Sequence, residues 1–128
     1  MRKQWILVAN GSLARFYSRT GVGDPLVPLE TIDCPEARAR GKALERDHPF
    51  AHELAQRLEE GVVDGEYETF WLIASSPLLS EIQVCLKRGV DYRLQWTHDA
   101  DFTGLEAGTL EKRLLELRES VEPGTTAH

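Results

Sequence analysis

The chain opens on an apolar run, Trp5-Ile6-Leu7-Val8-Ala9 after Gln4, which is too short for a helix and is cut off by Asn10-Gly11. That pattern predicts a strand buried on both faces, placed centrally in a sheet. Asn10-Gly11-Ser12 is turn chemistry, and Leu13 to Ser18 resumes as a second short strand, so the pair reads as a hairpin. After a Gly/Pro/Asp loop at 20–25, residues 26–33 form a third strand, with Val27, Leu29 and Thr31 on one side and Leu26, Pro28, Glu30 and Ile32 on the other. Its prolines suit an edge.

Residues 34–47 show no apolar period and are expected to be a mobile surface loop. From Pro49 the spacing becomes helical: Phe50, Leu54 and Leu58 recur every four residues with Ala51 and Ala55 beside them, while Gln56, Arg57, Glu59 and Glu60 face water. Pro49 suits the first helical position and Gly61 the end. Tyr67 to Ala74 is a second buried strand. Ser76 then reads as an N-cap and Pro77 as the start of a helix carrying Leu78, Leu79, Ile82 and Leu86, closed by Lys87-Arg88-Gly89. Val90, Tyr92, Leu94 and Trp96 alternate with Asp91, Arg93, Gln95 and Thr97, the period of a half-buried strand over 90–97. After a loop at 99–104, a last helix starts between Thr103 and Thr109 with Leu110, Leu114 and Leu117 on its buried face. The reading is one domain over residues 1–118 and a flexible C-terminal tail over 119–128.

Three adjacent strands followed by helix, strand, helix, strand and helix predict a mixed α/β fold. A right-handed crossover after the third strand places the later strands parallel to the first. The expected class is a ribonuclease-H-like five-stranded sheet of order 3-2-1-4-5, with the second strand antiparallel and helices on both faces.

Composition narrows the function. The 128 residues carry a formal charge of −6, which opposes non-specific nucleic-acid binding through massed lysine and arginine. The charge is uneven, however: residues 1–46 balance to +3 and the remainder to −9. No apolar run reaches the roughly 18 residues of a membrane span, and the N-terminus has too short an apolar stretch for a signal peptide, so the expected location is cytoplasmic. Cys34 and Cys85 lack CxxC spacing, and no disulfide or metal role is expected of them.

Four groups of residues bear on chemistry. A metal-dependent nuclease would need carboxylates from the first strand, the first helix and the fourth strand to hold two ions, and Glu53 would stand alone. His48 and His52, four apart at a helix start, share a face, but no third ligand is evident; His98, Asp99 and Asp101 read as an acidic exit loop. Asn10, Gly11 and Ser12 follow one central strand, and Ser75 and Ser76 follow the other. Parallel neighbours would bring both turns to one sheet edge, where a ligand or anion could bind with Arg15 adding charge. Arg38, Arg40, Lys42 and Arg46 form a basic segment suited to RNA or an acidic protein partner. No cofactor motif is present, so catalytic residues, metal and cofactor are all expected to be absent.

The segments Trp5-Ile-Leu-Val-Ala-Asn-Gly-Ser-Leu-Ala-Arg-Phe-Tyr17, Phe50-Ala-His-Glu-Leu-Ala55 and Phe70-Trp-Leu-Ile-Ala-Ser-Ser-Pro-Leu-Leu79, with the acidic segment before a leucine-rich helix, resemble bacterial proteins required for attachment to host cells. The resemblance runs to about residue 118. It departs from the commoner pattern at Ser75-Ser76, where an Ala-Pro type sequence is expected. That family in turn is similar to the middle domain of the archaeal/eukaryotic-type peptide release factor and Pelota. The resemblance implies a ribonuclease-H-like fold used by translation-associated proteins, not a demonstrated activity. The preferred reading is a non-enzymatic binding domain of that family, an accessory to ribosome, RNA or another macromolecular complex. With no export signal recognised, attachment is read as an indirect role. An enzyme or small-molecule or anion sensor at the strand-end cleft is the alternative, and a homo-oligomer is left open.

Overall fold

The computed structural model describes residues 3–20, 24–33 and 49–125. Five strands form one sheet in the order β3-β2-β1-β4-β5: β1 Gln4–Ala9, β2 Leu13–Arg19, β3 Val27–Asp33, β4 Thr69–Ala74 and β5 Leu94–Asp99. β2 is antiparallel to β1 and β3, while β4 is parallel to both β1 and β5. The expected mixed α/β architecture and strand order are those found.

The apolar runs explain the order. Every residue of β1 is buried, as are Phe70 to Ala74 of β4, so these two strands pair at the centre with Ile6 beside Trp71 and Ala9 beside Ala74. Alternate residues feed two cores. Trp5, Leu7, Ala9, Phe16, Phe70 and Leu72 pack against helix α1, Pro49–Val63, and helix α2, Leu78–Cys85. Ile6, Val8, Tyr17, Trp71 and Ile73 pack on the other face against Leu110 and Leu114 of the last helix, Ala107–Thr125. Helices therefore cover both faces.

Several boundaries differ from expectation. α1 passes Gly61 and ends at Val63, where Gly65 takes the left-handed conformation at φ 69°. Gly65 N–H bonds to Val62 O and Glu66 N–H to Gly61 O, the paired closure of a Schellman turn. Gly61 is wanted for space instead: a Cβ there would lie 2.7 Å from the Tyr67 ring and 2.8 Å from Trp5. Arg57, expected to face water, lies over the Trp5 ring and donates from Nε to Glu30 Oε1 at 3.0 Å.

The expected strand over 90–97 begins only at Leu94. Arg88–Asp91 forms a one-turn helix, α3, because the N–H groups of Val90 and Asp91 both bond to Lys87 O at 2.9 and 2.8 Å. Val90 is buried and Tyr92 is 90% exposed, so residues that share a parity do not share a face. The last helix, α4, keeps a helical backbone to Thr125, past the expected domain end at 118. The expected loop at 34–47, with Cys34, and His48 after it fall outside the described residues. Among the described residues no helix is long and apolar enough to cross a membrane.

Candidate functional site

The parallel pairing of β1, β4 and β5 brings the exits of all three strands to one edge. Asn10 follows β1, Ser75 and Ser76 follow β4, and Asp99 closes β5 just before Asp101 and Thr103. Ser75 N–H donates to Ala9 O at 3.3 Å and Ala100 N–H to Ala74 O at 3.2 Å, so the pairing runs to the strand ends and holds the exits side by side.

Asn10 organises one half. Its Oδ1 accepts from the backbone N–H groups of Ser12 and Leu13, both at 2.9 Å, and from Ser12 Oγ at 3.3 Å, closing the β1–β2 turn. Its Nδ2 donates across the edge to Asp101 Oδ2 at 3.0 Å and Thr103 Oγ1 at 3.2 Å. Thr103, itself buried, donates from N and Oγ1 to Asp101 Oδ1 at 3.0 and 2.6 Å. Burial pushes the Asp101 carboxyl upward, but these donations from Thr103 and Asn10 outweigh it and hold the group below the usual carboxylate range.

Ser76 and Asp99 make the other half. Ser76 Oγ donates to Asp99 Oδ2 at 2.6 Å and Ser76 N–H to Oδ1 at 3.1 Å, and these two bonds, aided by His98, hold Asp99 below the usual range. Ser76 is therefore not the expected N-cap. α2 begins at Leu78, preceded by a cis Ser76–Pro77 bond, and no side chain caps it. The amide expected to meet an external anion is already bound to a carboxylate of the same chain.

Of the expected cleft residues, Asn10, Gly11, Ser12, Ser75 and Ser76 share this edge. Arg15 does not join their hydrogen bonds. It sits in β2 opposite Val8, on the face covered by α4, and its Nε is buried without a hydrogen-bond partner among the described residues. Arg38, Arg40, Lys42 and Arg46 lie outside the described residues. The members that sequence reasoning did not place here are Asp99, Asp101 and Thr103. The signal for them was the parallel direction of the fifth strand, which sends its acidic exit to the same edge as the other two. Among the described residues no group of three or more His, Cys, Asp or Glu side chains is arranged to hold a metal ion.

Fold and edge together define a mixed α/β sheet domain whose three parallel strands end in a self-satisfied polar cluster. The model of the family described as "Protein required for attachment to host cells" matches residues 44–114, more than half of the chain, and the chain belongs to that family. No curated protein matches the chain. Among solved structures it is similar to a chain of a "PilM-PilN type IV pilus biogenesis complex", with 17% identity and a TM-score of 0.39. That similarity covers 87% of this chain and 41% of the other, so this chain spans less than half the length of the structure it matches.

Proposed function

We propose that this member of the host-attachment family is a non-enzymatic binding domain, acting in the cytoplasm as an accessory to ribosome, RNA or another macromolecular complex. The observation that carries the reading is the closure of the strand-end cluster. Asn10 Nδ2, Ser76 N–H and Ser76 Oγ, the donors a small anion would need, are spent on Asp101 and Asp99. An incoming phosphate or carboxylate would have to displace a tethered carboxylate and then face the charge it displaced. Recognition by this fold is better served elsewhere, and the basic residues Arg38, Arg40, Lys42 and Arg46 supply the chemistry for an acidic partner. The resemblance to the release-factor and Pelota middle domain, and with it the ribonuclease-H-like label, supports a translation-associated partner.

The test is a pulldown of the full chain with and without RNase, followed by ribosome or RNA binding across a salt series. Replacing the four basic residues with Ala is expected to weaken association and to lower the log–log salt slope by roughly 0.7–0.9 for each phosphate that is no longer neutralised, with thermal stability unchanged. Unchanged binding with an unchanged melt overturns the basic-segment reading. A phosphate-dependent rise in melting temperature that Ser76→Ala removes would restore the cleft as an anion sensor.

A further inference from the structure

The sheet ends in two edge strands of unlike chemistry. β3 carries Pro28, the carboxylates Glu30 and Asp33, and a break in its register with β2 between Phe16 and Tyr17. Proline, charge and irregular pairing are the usual devices that keep an edge from accepting another strand. β5 breaks register with β4 at its start, where Gln95 is the extra residue, and then pairs regularly over Trp96-Thr97-His98-Asp99 with neither proline nor lysine. The carboxylate of Asp99 is turned aside onto Ser76.

The pairing fixes which backbone groups this edge offers. Ala100 N–H donates to Ala74 O, so by the alternation of a strand Trp96 and His98 also address β4, and the N–H and C=O of Thr97 and Asp99 point away from it. Among the described residues no strand lies on that side. A row of aromatic side chains stands beside these groups on the α4 side. Trp96 meets Trp71 at 4.9 Å between ring centroids and stacks on His98 at 5.5 Å with planes 4° apart, and His98 lies 5.7 Å from Phe102. Trp96, His98 and Phe102 remain half-buried, because α4 is drawn toward the opposite edge, where Glu111 accepts the Leu26 N–H.

The segment is complementary to itself, which selects a second copy as the occupant. Antiparallel pairing about a two-fold axis at His98 sets Thr97 opposite Asp99 of the second copy and Asp99 opposite its Thr97. Each outward N–H and C=O then finds a partner, and no carboxylate faces another. Trp96 meets Ala100, both from the margin of the α4-side core, and the two His98 rings meet on the axis, continuing the aromatic row from one copy into the next. An axis one residue earlier, at Thr97, would set Asp99 against the bulged Gln95 and lose those bonds. We propose that the outer edge of β5 is a homodimer interface, paired through Thr97 and Asp99 across a two-fold axis at His98, so that the two sheets become continuous. One short strand and its flanking rings make a small contact, so the dimer is reversible and dissociates on dilution. The interface uses none of the basic residues Arg38, Arg40, Lys42 and Arg46, so its failure leaves the proposed binding function intact.

Sedimentation of the full, reduced chain over a dilution series tests it, with amide hydrogen exchange at the same concentrations. The amides of Thr97 and Asp99 are expected to lose protection on dilution, whereas that of His98, which addresses β4, keeps it. This readout uses the unmodified chain and does not depend on how any variant folds. Thr97→Pro removes an N–H that pairing with β4 does not use, and is expected to weaken association at least tenfold. Residues opposed on the axis have Cα atoms about 4.5 Å apart, within disulfide reach. In a Cys34→Ser/Cys85→Ser background, mild oxidation should therefore cross-link His98→Cys but not Leu29→Cys, whose position on β3 is equally open to solvent. A monomer at every concentration, protection of Thr97 and Asp99 indifferent to dilution, unchanged association in Thr97→Pro, or cross-linking at position 29 instead of 98 would each overturn the interface.

Discussion

Gly61 and Gly65 stand four residues apart around the end of α1, and alanine at each fails for a different reason. In a helix interior alanine is favoured over glycine by about 1 kcal/mol. At Gly61 that gain is set against a Cβ pressed to 2.7 and 2.8 Å from two buried rings. Neither ring yields easily: Tyr67 is anchored by its hydroxyl to Leu58 O at 2.8 Å, and its centroid is 4.6 Å from that of Trp5. Overpacking of this kind costs about 1–3 kcal/mol, so Gly61→Ala is expected to be destabilising on balance. Gly65→Ala meets no neighbour but must hold φ near 69°, at a cost of roughly 1–2 kcal/mol. Denaturant melts of both variants check the pair, and adding Tyr67→Leu should relieve only the Gly61 variant.

The carboxylates of the strand-end cluster set a pH dependence at the same scale. Asp99 and Asp101 both lie below their ordinary values in the folded chain. Depressed native values mean that their contribution is full at neutral pH, begins to fall near the ordinary carboxylate pKa of about 4, and disappears as pH drops through the native values. Asp99→Asn/Asp101→Asn is expected to flatten the acid limb of stability against pH while leaving the neutral-to-basic limb parallel to that of the unmodified chain. A steep, unchanged acid limb in the double variant would place the linkage elsewhere.

Between elements, the two faces of the sheet are held by different means. On the α1–α2 side the core extends to a charged margin, where Arg57 reaches Glu30 of β3 at 3.0 Å and Glu66 at 3.6 Å. Such half-exposed pairs contribute at most about 1 kcal/mol each. On the other side α4 is the main cover, through Leu110 and Leu114, and Glu111 Oε2 accepts the Leu26 N–H at 2.9 Å beside the entry to β3. Leu114→Ala is therefore expected to cost about 2–5 kcal/mol and to release α4 first, whereas Arg57→Ala should cost about 1–2 kcal/mol and loosen β3. Hydrogen exchange resolved by segment separates these outcomes: amides of α4 lose protection in the first variant and those of β3 in the second.

At the scale of the molecule, topology joins residues that are remote in the chain. Asn10 and Asp101 are 91 positions apart, and His52 and Cys85 are 33 apart. Each pair depends on a parallel crossover: β1 to β4 to β5 for the first, and α1 to β4 to α2 for the second. Asp99 and Asp101, set at the strand-end edge in this way, place part of the −9 balance of residues 47–128 there.

What the sequence determined by itself was the set of elements that bury a continuous or periodic apolar pattern. The runs Trp5–Ala9 and Phe70–Ala74 read as central strands, the four-residue spacing of Phe50, Leu54 and Leu58 as a helix, and a right-handed crossover after the third strand then gives the order 3-2-1-4-5 that the sheet shows. The strand expected from residue 90 was wrong over 90–93, because Val90, Tyr92 and Leu94 keep strand parity while local N–H bonds to Lys87 O turn the chain into a helical turn. Pattern also could not tell that Ser76 would abandon a capping role for Asp99, or that Gly61 answers to two rings rather than to a helix end. Those outcomes depend on partners brought in by the fold. Hydrophobic periodicity records which side of an element is buried, whereas hydrogen bonds and close packing record what lies on the far side of the gap, and only tertiary structure supplies that.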